Sequence, residues 1–555
     1  MRPFGSLGRV LAGVSTMRRT LLLVSVLLLV AGSAAHARTS ARAQPVPLGL
    51  ATFMVTGHGW GHGVGLSQYG AYGYAQKGLD YEKIVLHYFA GTELGAAPVS
   101  RVRVLLTSGA GSLDIGSTAD FKVRDATGVV HTVAAGKYTL KPALKLVVDG
   151  QATARALPGP LLFQPGTAAL GLKHRYRGSI QIDVVAGKLR AINMVGLEQY
   201  LYGVVPSEMP FTWLPEALKA QAVVARSYAL ATRRTGAFDL YPDTRSQVYL
   251  GIEHEKPSTN AAVNDTAGQV VLYEGAVAKT FFFSSSGGRT ASAEDVWGEP
   301  VPYLVSVADP YDSISPHHDW GPLVFTGTKL AKVLKMKGQR VVDLQPELNS
   351  SGRVKVLNVV GTKSTLAVPG ADVRRRLGVR STWFSIGVLS LAAPSQPVTF
   401  GGRGKLAGLA RGLNQTVLQS LQGGTWTEMA TLKADKDGVV TALVKPTVTT
   451  RYRLSMGKVN TEPVRVTVAP LARFYPARTP DRLSGYVRPV SLAGTTVLIQ
   501  KQQGEAWPTV GQAVVEASGD FLAKLPLTAG VYRARVGSGH GFVVGFSPVL
   551  QVSTS

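Results

Sequence analysis

LEQYLYGVVPSEMPFTWLPEALKAQAVVARSYAL, Leu197 to Leu230, sets the architecture of this chain, because a strand-like texture gives way within it to unbroken helix formers. From Pro215 onward the residues favour an α-helix, and proline suits its first turn, where no N–H is needed. Leu218, Ala222, Ala225 and Ala229 recur at the i, i+4, i+7, i+11 spacing of a core-facing stripe, and their small size permits close packing. Glu216, Lys219, Val223 and Arg226 fall on another face. Upstream, Leu197 to Pro210 ends a strand-like run and enters the helix through a proline-rich turn. That reading predicts Glu208 on a loop.

Working outward, residues from Val99 to about Val195 form short alternating runs, such as Ile180-Gln181-Ile182-Asp183-Val184, separated by Gly and Asp turns. This pattern predicts antiparallel sheet, a β-rich insertion at about 98–190. Thr52 to Leu94 is rich in glycine and aromatics and predicts a compact helical unit. Its last helix is N-capped by Asp80 and stopped at Gly91. Residues 269–384 return to strands and turns, so 52–384 is expected to be one α+β unit carrying the β-rich subdomain. Beyond it, Thr416-Val417-Leu418 recurs as Thr496-Val497-Leu498, Trp426 as Trp507, and Tyr452-Arg453 as Tyr532-Arg533, at spacings of 80 or 81 residues. Two all-β sandwich modules, Ig-like in texture, are expected at 395–470 and 471–555. A spacer role suits them by default; carbohydrate or wall binding is the sharper alternative.

At the N-terminus, Arg18 and Arg19 precede an apolar run from Leu21 to Val30 and then Ala35-His36-Ala37. This is the pattern of a signal peptide, residues 1–37, with Ala43 a second cleavage position; uncleaved, the same run would act as a membrane anchor. The remainder is expected to be exported. The chain contains no cysteine, which excludes disulfides, thiolate nucleophiles and zinc-thiolate sites and leaves carboxylates, histidines and hydroxyls for chemistry. The formal charge is +25, or +21 without Arg2, Arg9, Arg18 and Arg19. The cations are dispersed rather than clustered, so nucleic acid is not the expected partner.

Glu208, between Val205, Met209, Pro210 and Trp213, is expected to be partly desolvated. Desolvation penalises a carboxylate and raises its pKa toward that of a general acid. Lys219 and Arg226 lie two turns apart and are placed to hold ligand oxygens, although Glu216 can pair with Lys219 at i, i+3. In Gly57-His58-Gly59-Trp60-Gly61-His62-Gly63-Val64-Gly65 the glycines allow close backbone approach. The four-residue spacing of His58 and His62 needs a helix to form a metal pair, and the glycines argue against one, so no metal or cofactor is expected and the loop reads as packing or substrate lining. Ser284, Ser285 and Ser286 follow a Phe281-Phe282-Phe283 strand and offer hydroxyls to a groove. They lack the Gly-x-Ser-x-Gly elbow of a serine hydrolase.

Taken together, Gly57 to Ala71, Leu197 to Tyr228, Gln247-Val248-Tyr249-Leu250-Gly251, Phe282 to Gly298 and Arg374 to Phe384 resemble the stage II sporulation protein D and amidase-enhancer family. The resemblance covers about Thr52 to Phe384. Within it Gln68, Gln221 and Tyr228 join the substrate-binding candidates. The Gly-His-Gly-Trp block often lies near the C-terminus of family members and comes first here, which suggests a permuted order or termini that meet in the fold. The family implies that Glu208, in its Glu-Met-Pro motif, is the catalytic acid of a lytic transglycosylase acting on peptidoglycan glycan strands. An ordinary glycosidase uses two carboxylates; a lytic transglycosylase needs only one, because the sugar's own 6-hydroxyl attacks. Some members bind zinc through His and Cys just before the Gln-x-Tyr-x-Gly segment, and Tyr241 to Ser246 here contains neither. The family also includes enhancers of a wall amidase, so a noncatalytic wall-binding or amidase-enhancing role is the alternative. Anionic wall polymers are the further partner that the basic charge suggests.

Overall fold

The computed structural model describes residues 50–413, 415–477 and 481–553; the expected signal segment lies outside the described residues. No helix among the described residues is long and apolar enough to cross a membrane.

The helix Pro215–Ala231 is the axis of the α+β region, and it is buried nearly all round rather than along one stripe. Ala217, Leu218, Ala220, Val223 and Val224 pack into a core with Val64, Leu66, Ala71, Ile84 and Val85. Ala222, Ala225, Ala229 and Leu230 pack into a second core with Val102, Val104, Leu197, Tyr200 and Val204. A helix between two cores keeps little solvent-facing surface, so Val223 and Arg226, which fall on a different face from the apolar stripe, are also inside. The preceding segment also differs from expectation. Leu197–Glu208 is a helix, not a loop, and Glu208 is its last residue. Pro206 lies in the final turn, where its missing N–H costs one hydrogen bond near an end that stops in any case.

The β-rich part is an antiparallel six-stranded sheet in the order Arg101–Ala110, Lys188–Gly196, Ser179–Val185, Leu161–Gln164, Phe121–Arg124, Val130–Val133. A smaller four-stranded sheet contributes Ile115, Leu140 and Leu170 to the same core. At the N-terminus the expected helical unit begins instead with a strand, Thr52–His58, before the helices Gln68–Gln76 and Tyr81–Tyr88. Asp80 caps the second of these, accepting from the Lys83 N–H.

That first strand explains the early position of the glycine-histidine block. It lies between Asp319–Thr326 and Phe384–Ala392, with Thr52 opposite Leu389 and Gly57 opposite Phe384. The two ends of the 52–384 region therefore meet. The sheet does not stop there, because Phe384–Ala392 also pairs with Gly404–Arg411, which pairs with Val439–Val444. The first C-terminal module thus begins at Phe384 rather than at 395 and shares its sheet with the α+β region. Its second sheet, built on Thr425–Leu432, Thr416–Gln422 and Thr450–Met456, closes a core containing Leu391, Leu406, Leu418 and Leu454. The last module packs Leu471–Pro476, Arg482–Arg488 and Asp520–Lys524 against a sheet centred on Thr496–Lys501 and Gly530–Val536, around Val487, Ile499, Phe521 and Ala534.

Beyond the first strand, the chain turns through glycines with positive φ. Gly65 has φ +81°, and a Cβ there would lie 2.2 Å from the carbonyl oxygen of Phe281, which itself accepts the Leu66 N–H at 3.0 Å. Strain and overlap act together, so Gly65→Ala is expected to destabilise the protein by about 2 kcal/mol or more. Urea unfolding of the variant beside the parent measures this, and equal midpoints would contradict it.

Candidate functional site

Glu208 ends its helix with the carboxyl group half-buried beside Tyr200 and Tyr228, and it accepts a hydrogen bond from the Val248 N–H. Burial pushes its pKa up from the ordinary carboxylate value, and the Val248 hydrogen bond pulls weakly the other way. Tyr200 and Tyr228 stand close to the acid in addition to its neighbours in sequence. Glu208 has no ion-pair partner among the described residues, whereas the two other acids of the segment are engaged. Glu198 receives Arg226 Nε at 3.1 Å and the Gly268 N–H at 3.1 Å. Glu216 binds Lys219 Nζ at 3.0 Å and the Tyr81 N–H at 2.8 Å.

These contacts settle the places of several candidates. Arg226 is fully buried; besides Glu198 it donates to the carbonyls of Gln269 and Val263. It binds the helix Leu197–Glu208 to its neighbours and does not face a ligand. Lys219 lies between Glu216 and Asp265, 3.3 Å from the latter. Gln68 reaches the backbone of Glu208, and Gln221 reaches Gln68. Gln68 Nε2 donates to the Glu208 carbonyl at 2.9 Å and to Gln221 Oε1 at 3.3 Å. Gln221 is completely buried, and its Nε2 has no partner among the described residues. Tyr228 is half-buried beside Glu208, with Phe281 and Phe282 beyond it at 5.7 and 6.1 Å between ring centroids.

His58 and His62 take separate partners. His58 Nδ1 lies 2.6 Å from Asp319 Oδ1. His62 accepts the Val64 N–H at Nδ1 and meets the Phe282 carbonyl through Nε2, each at 3.1 Å. Both nitrogens are engaged and burial lowers the His62 pKa to about 4, so this ring is neutral and holds the loop rather than a ligand. Of the three serines, Ser284 is half-exposed, while Ser285 and Ser286 are buried. They surround Asp312, which sequence reading missed. This buried carboxylate accepts from Ser285 Oγ (2.8 Å), Ser67 Oγ (2.9 Å) and the N–H groups of Ser286 and Gly287 (2.9 and 2.8 Å), and lies 3.0 Å from His318 Nδ1. The only signal was the paired acids of Asp309-Pro310-Tyr311-Asp312. Ser67 in turn caps the helix that starts with Gln68.

An aromatic row runs outward from the loop after Glu208. Trp213 stacks on Tyr72 with centroids 4.5 Å apart at 12°, and Tyr69 meets Trp213 edge-on at 4.9 Å. His317 follows at 6.3 Å from Tyr69, then Trp60 at 4.5 Å from His317. Trp60 is 44% exposed. The concavities at Leu50–Thr52 with Arg340, at Asp114–Thr118 and at His58–Asp319 are lined by residues other than Glu208.

The family model described as stage II sporulation protein matches residues 185–273, which include Glu208 and the helix Pro215–Ala231. Stage II sporulation protein D of Bacillus subtilis is 30% identical over 237 residues, covering 39% of this chain and 68% of that protein. An uncharacterized protein of Brachyspira hyodysenteriae is 41% identical over 136 residues, 24% of this chain and 37% of its own length. The amidase enhancer of Bacillus subtilis is 43% identical over 113 residues, 20% of this chain and 15% of that one. The chain therefore spans less than two thirds of the Brachyspira protein and of the amidase enhancer.

Asp309 supplies a check on the network beneath the site. It accepts from Tyr88 Oη at 2.9 Å, its Oδ2 is buried without a partner, and burial raises its pKa to about 6. Between about pH 4 and 6 the native state therefore binds a proton that the unfolded chain has released, so this group's contribution falls as pH rises through that window. His62 acts in the opposite sense, since its folded pKa is depressed. In thermal unfolding at a series of pH values, Asp309→Asn is expected to remove the downward component and leave a profile that rises more steeply with pH than the parent's. Parallel profiles would show that Asp309 titrates normally.

Proposed function

Because the chain belongs to the stage II sporulation protein D family, we propose that it is an exported protein that cleaves peptidoglycan glycan strands as a lytic transglycosylase, with Glu208 as its acid and then its base. The observation that carries this reading is a single sheltered carboxyl whose two neighbouring acids are already bound elsewhere. Glu198 is engaged by Arg226, and Glu216 by Lys219 and the Tyr81 N–H. A two-carboxylate hydrolysis finds no second acid on this segment, whereas an intramolecular transfer needs only one.

In that reaction the protonated Glu208 gives its proton to the glycosidic oxygen, and the bond from that oxygen to the anomeric carbon of the muramic acid breaks. The 6-hydroxyl of the same sugar attacks the anomeric carbon and passes its proton to the Glu208 carboxylate. The products are a 1,6-anhydro end and a free 4-hydroxyl, and Glu208 regains its starting state. Its raised pKa supports the first step by keeping the acid form present above the ordinary carboxylate range. The aromatics between Trp213 and the exposed Trp60 offer ring surface of the kind on which sugars stack.

A second reading is favoured by the match to the amidase enhancer. In it the chain binds glycan and accelerates a partner wall amidase without cleaving anything itself. The two separate in one experiment. Purified protein incubated with glycan stripped of stem peptides is expected to release fragments with 1,6-anhydromuramyl ends, detected by mass spectrometry. Glu208→Gln keeps the shape and loses the proton, so the rate should fall by about a thousandfold. Full activity in Glu208→Gln would remove the assigned role. No release by the parent protein, together with faster turnover by an added amidase, would establish the enhancer reading.

A further inference from the structure

The repeat in the C-terminal modules is more than a similarity of strands. In the first module Arg453 lies opposite Gln419, its Nε donates to Gln419 Oε1 at 2.8 Å, and its guanidinium sits 4.2 Å from the Trp426 ring centre. In the second, Arg533 lies opposite Gln500, its Nε donates to Gln500 Oε1 at 2.9 Å, and its guanidinium sits 4.1 Å from the Trp507 ring centre. Phe546 adds a second ring 4.4 Å from Arg533. The same three residue types build the same arrangement twice in modules whose remaining sequence has diverged.

In both, the glutamine occupies Nε and the tryptophan covers one face, while the Nη nitrogens have no protein partner among the described residues. Neither arginine is in an ion pair there. Arg451 alternates with Arg453 on the outer face and stands opposite Arg465, and Arg535 alternates with Arg533. The one acid in that row, Glu428 opposite Gln419, is also without an ion-pair partner among the described residues. Over residues 395–555 the chain carries 18 Lys and Arg against 8 Asp and Glu. A guanidinium serving only to fasten strands would not need its outward edge left open on a face already rich in positive charge.

We propose that these two Trp–Arg–Gln clamps are equivalent binding sites for the oxyanions of a linear wall polyanion, phosphodiester or carboxylate in type. A planar guanidinium already fixed by stacking presents two parallel N–H donors, which match two oxygens of a phosphate or carboxylate. Fixing it beforehand lowers the entropy lost on binding. Two closely similar sites on consecutive modules suit a ligand with a repeating anionic unit, for which simultaneous engagement multiplies affinity. This assignment rests on the exported reading proposed above but not on Glu208.

The test measures binding of the full chain to poly(glycerol phosphate) and, separately, to polyglutamate, by titration followed through tryptophan fluorescence. At least one polymer is expected to bind, and the one that does identifies the oxyanion. Arg453→Gln and Arg533→Gln should each weaken that binding about fivefold, and the double variant about twentyfold. Lys436→Gln with Lys524→Gln removes the same charge from the same modules outside the clamps and is expected to change affinity less than twofold. Circular dichroism verifies the fold of each variant. If the double glutamine variant does not fold, Arg453→Lys with Arg533→Lys takes its place; it keeps the charge and loses the planar fork, and should still bind about fivefold more weakly. No binding to either polymer, equal affinity in the clamp variants, or an equal loss in the lysine controls would each overturn the proposal.

Discussion

The arrangement around Glu208 depends on a buried anion that takes no part in its chemistry. Asp312 is completely enclosed, and a carboxylate in such a place is tolerated only because hydrogen-bond donors replace its water. Those donors come from three separate segments: Ser67 from the end of the glycine loop, Ser285 to Gly287 from the serine turn, and His318 from the segment beyond. Meeting the needs of one charge therefore fixes all three. Ser67 passes the constraint on, because the hydroxyl that donates to Asp312 also caps the helix whose first residue, Gln68, reaches the backbone of Glu208. The acid is positioned by a relay of hydrogen bonds from a second carboxyl group whose oxygens are already engaged.

The other support is the pair Arg226 and Glu198. A fully buried guanidinium would be very costly alone, but here it is satisfied by Glu198 and two carbonyls. It connects the middle of the buried helix to the start of the helix that ends at Glu208. This position explains why a charged residue outside the apolar stripe nevertheless lies inside. Periodicity reports which side chains are apolar; it does not register that a charged side chain carries its own partner into the interior.

The same distinction separates what was legible in the sequence from what was not. Local signals read true where the physics is local: the helix from Pro215, the Asp80 cap and the alternating strands near Ile180 all have the form their residues dictate. Glu208 was identifiable from its motif, yet the loop expected for it from the proline-rich turn is the end of a helix. A proline in a last turn removes one hydrogen bond from a helix that is ending anyway. Asp309 and Asp312 carried almost no signal, since nothing in a turn-rich stretch marks an aspartate whose ligands are distant in sequence. His58 and His62 looked alike in the chain and differ in space, one exposed beside Asp319 and one locked between two backbone groups.

The module boundary was the least legible feature, and its displacement changes how the C-terminal half relates to the site. Composition shifts near residue 395, but hydrogen bonding does not, since Phe384–Ala392 pairs with Thr52–His58 on one side and Gly404–Arg411 on the other. At Val388 and Leu389 the strand is paired on both edges, and bending it there would break backbone hydrogen bonds that have no substitute in a buried sheet. Arg411 strengthens the joint from the side, with Nη1 2.9 Å from Asp343 Oδ2 in the α+β region. The glycine-histidine loop, which leaves the end of Thr52–His58, is therefore joined to the first module through one continuous sheet.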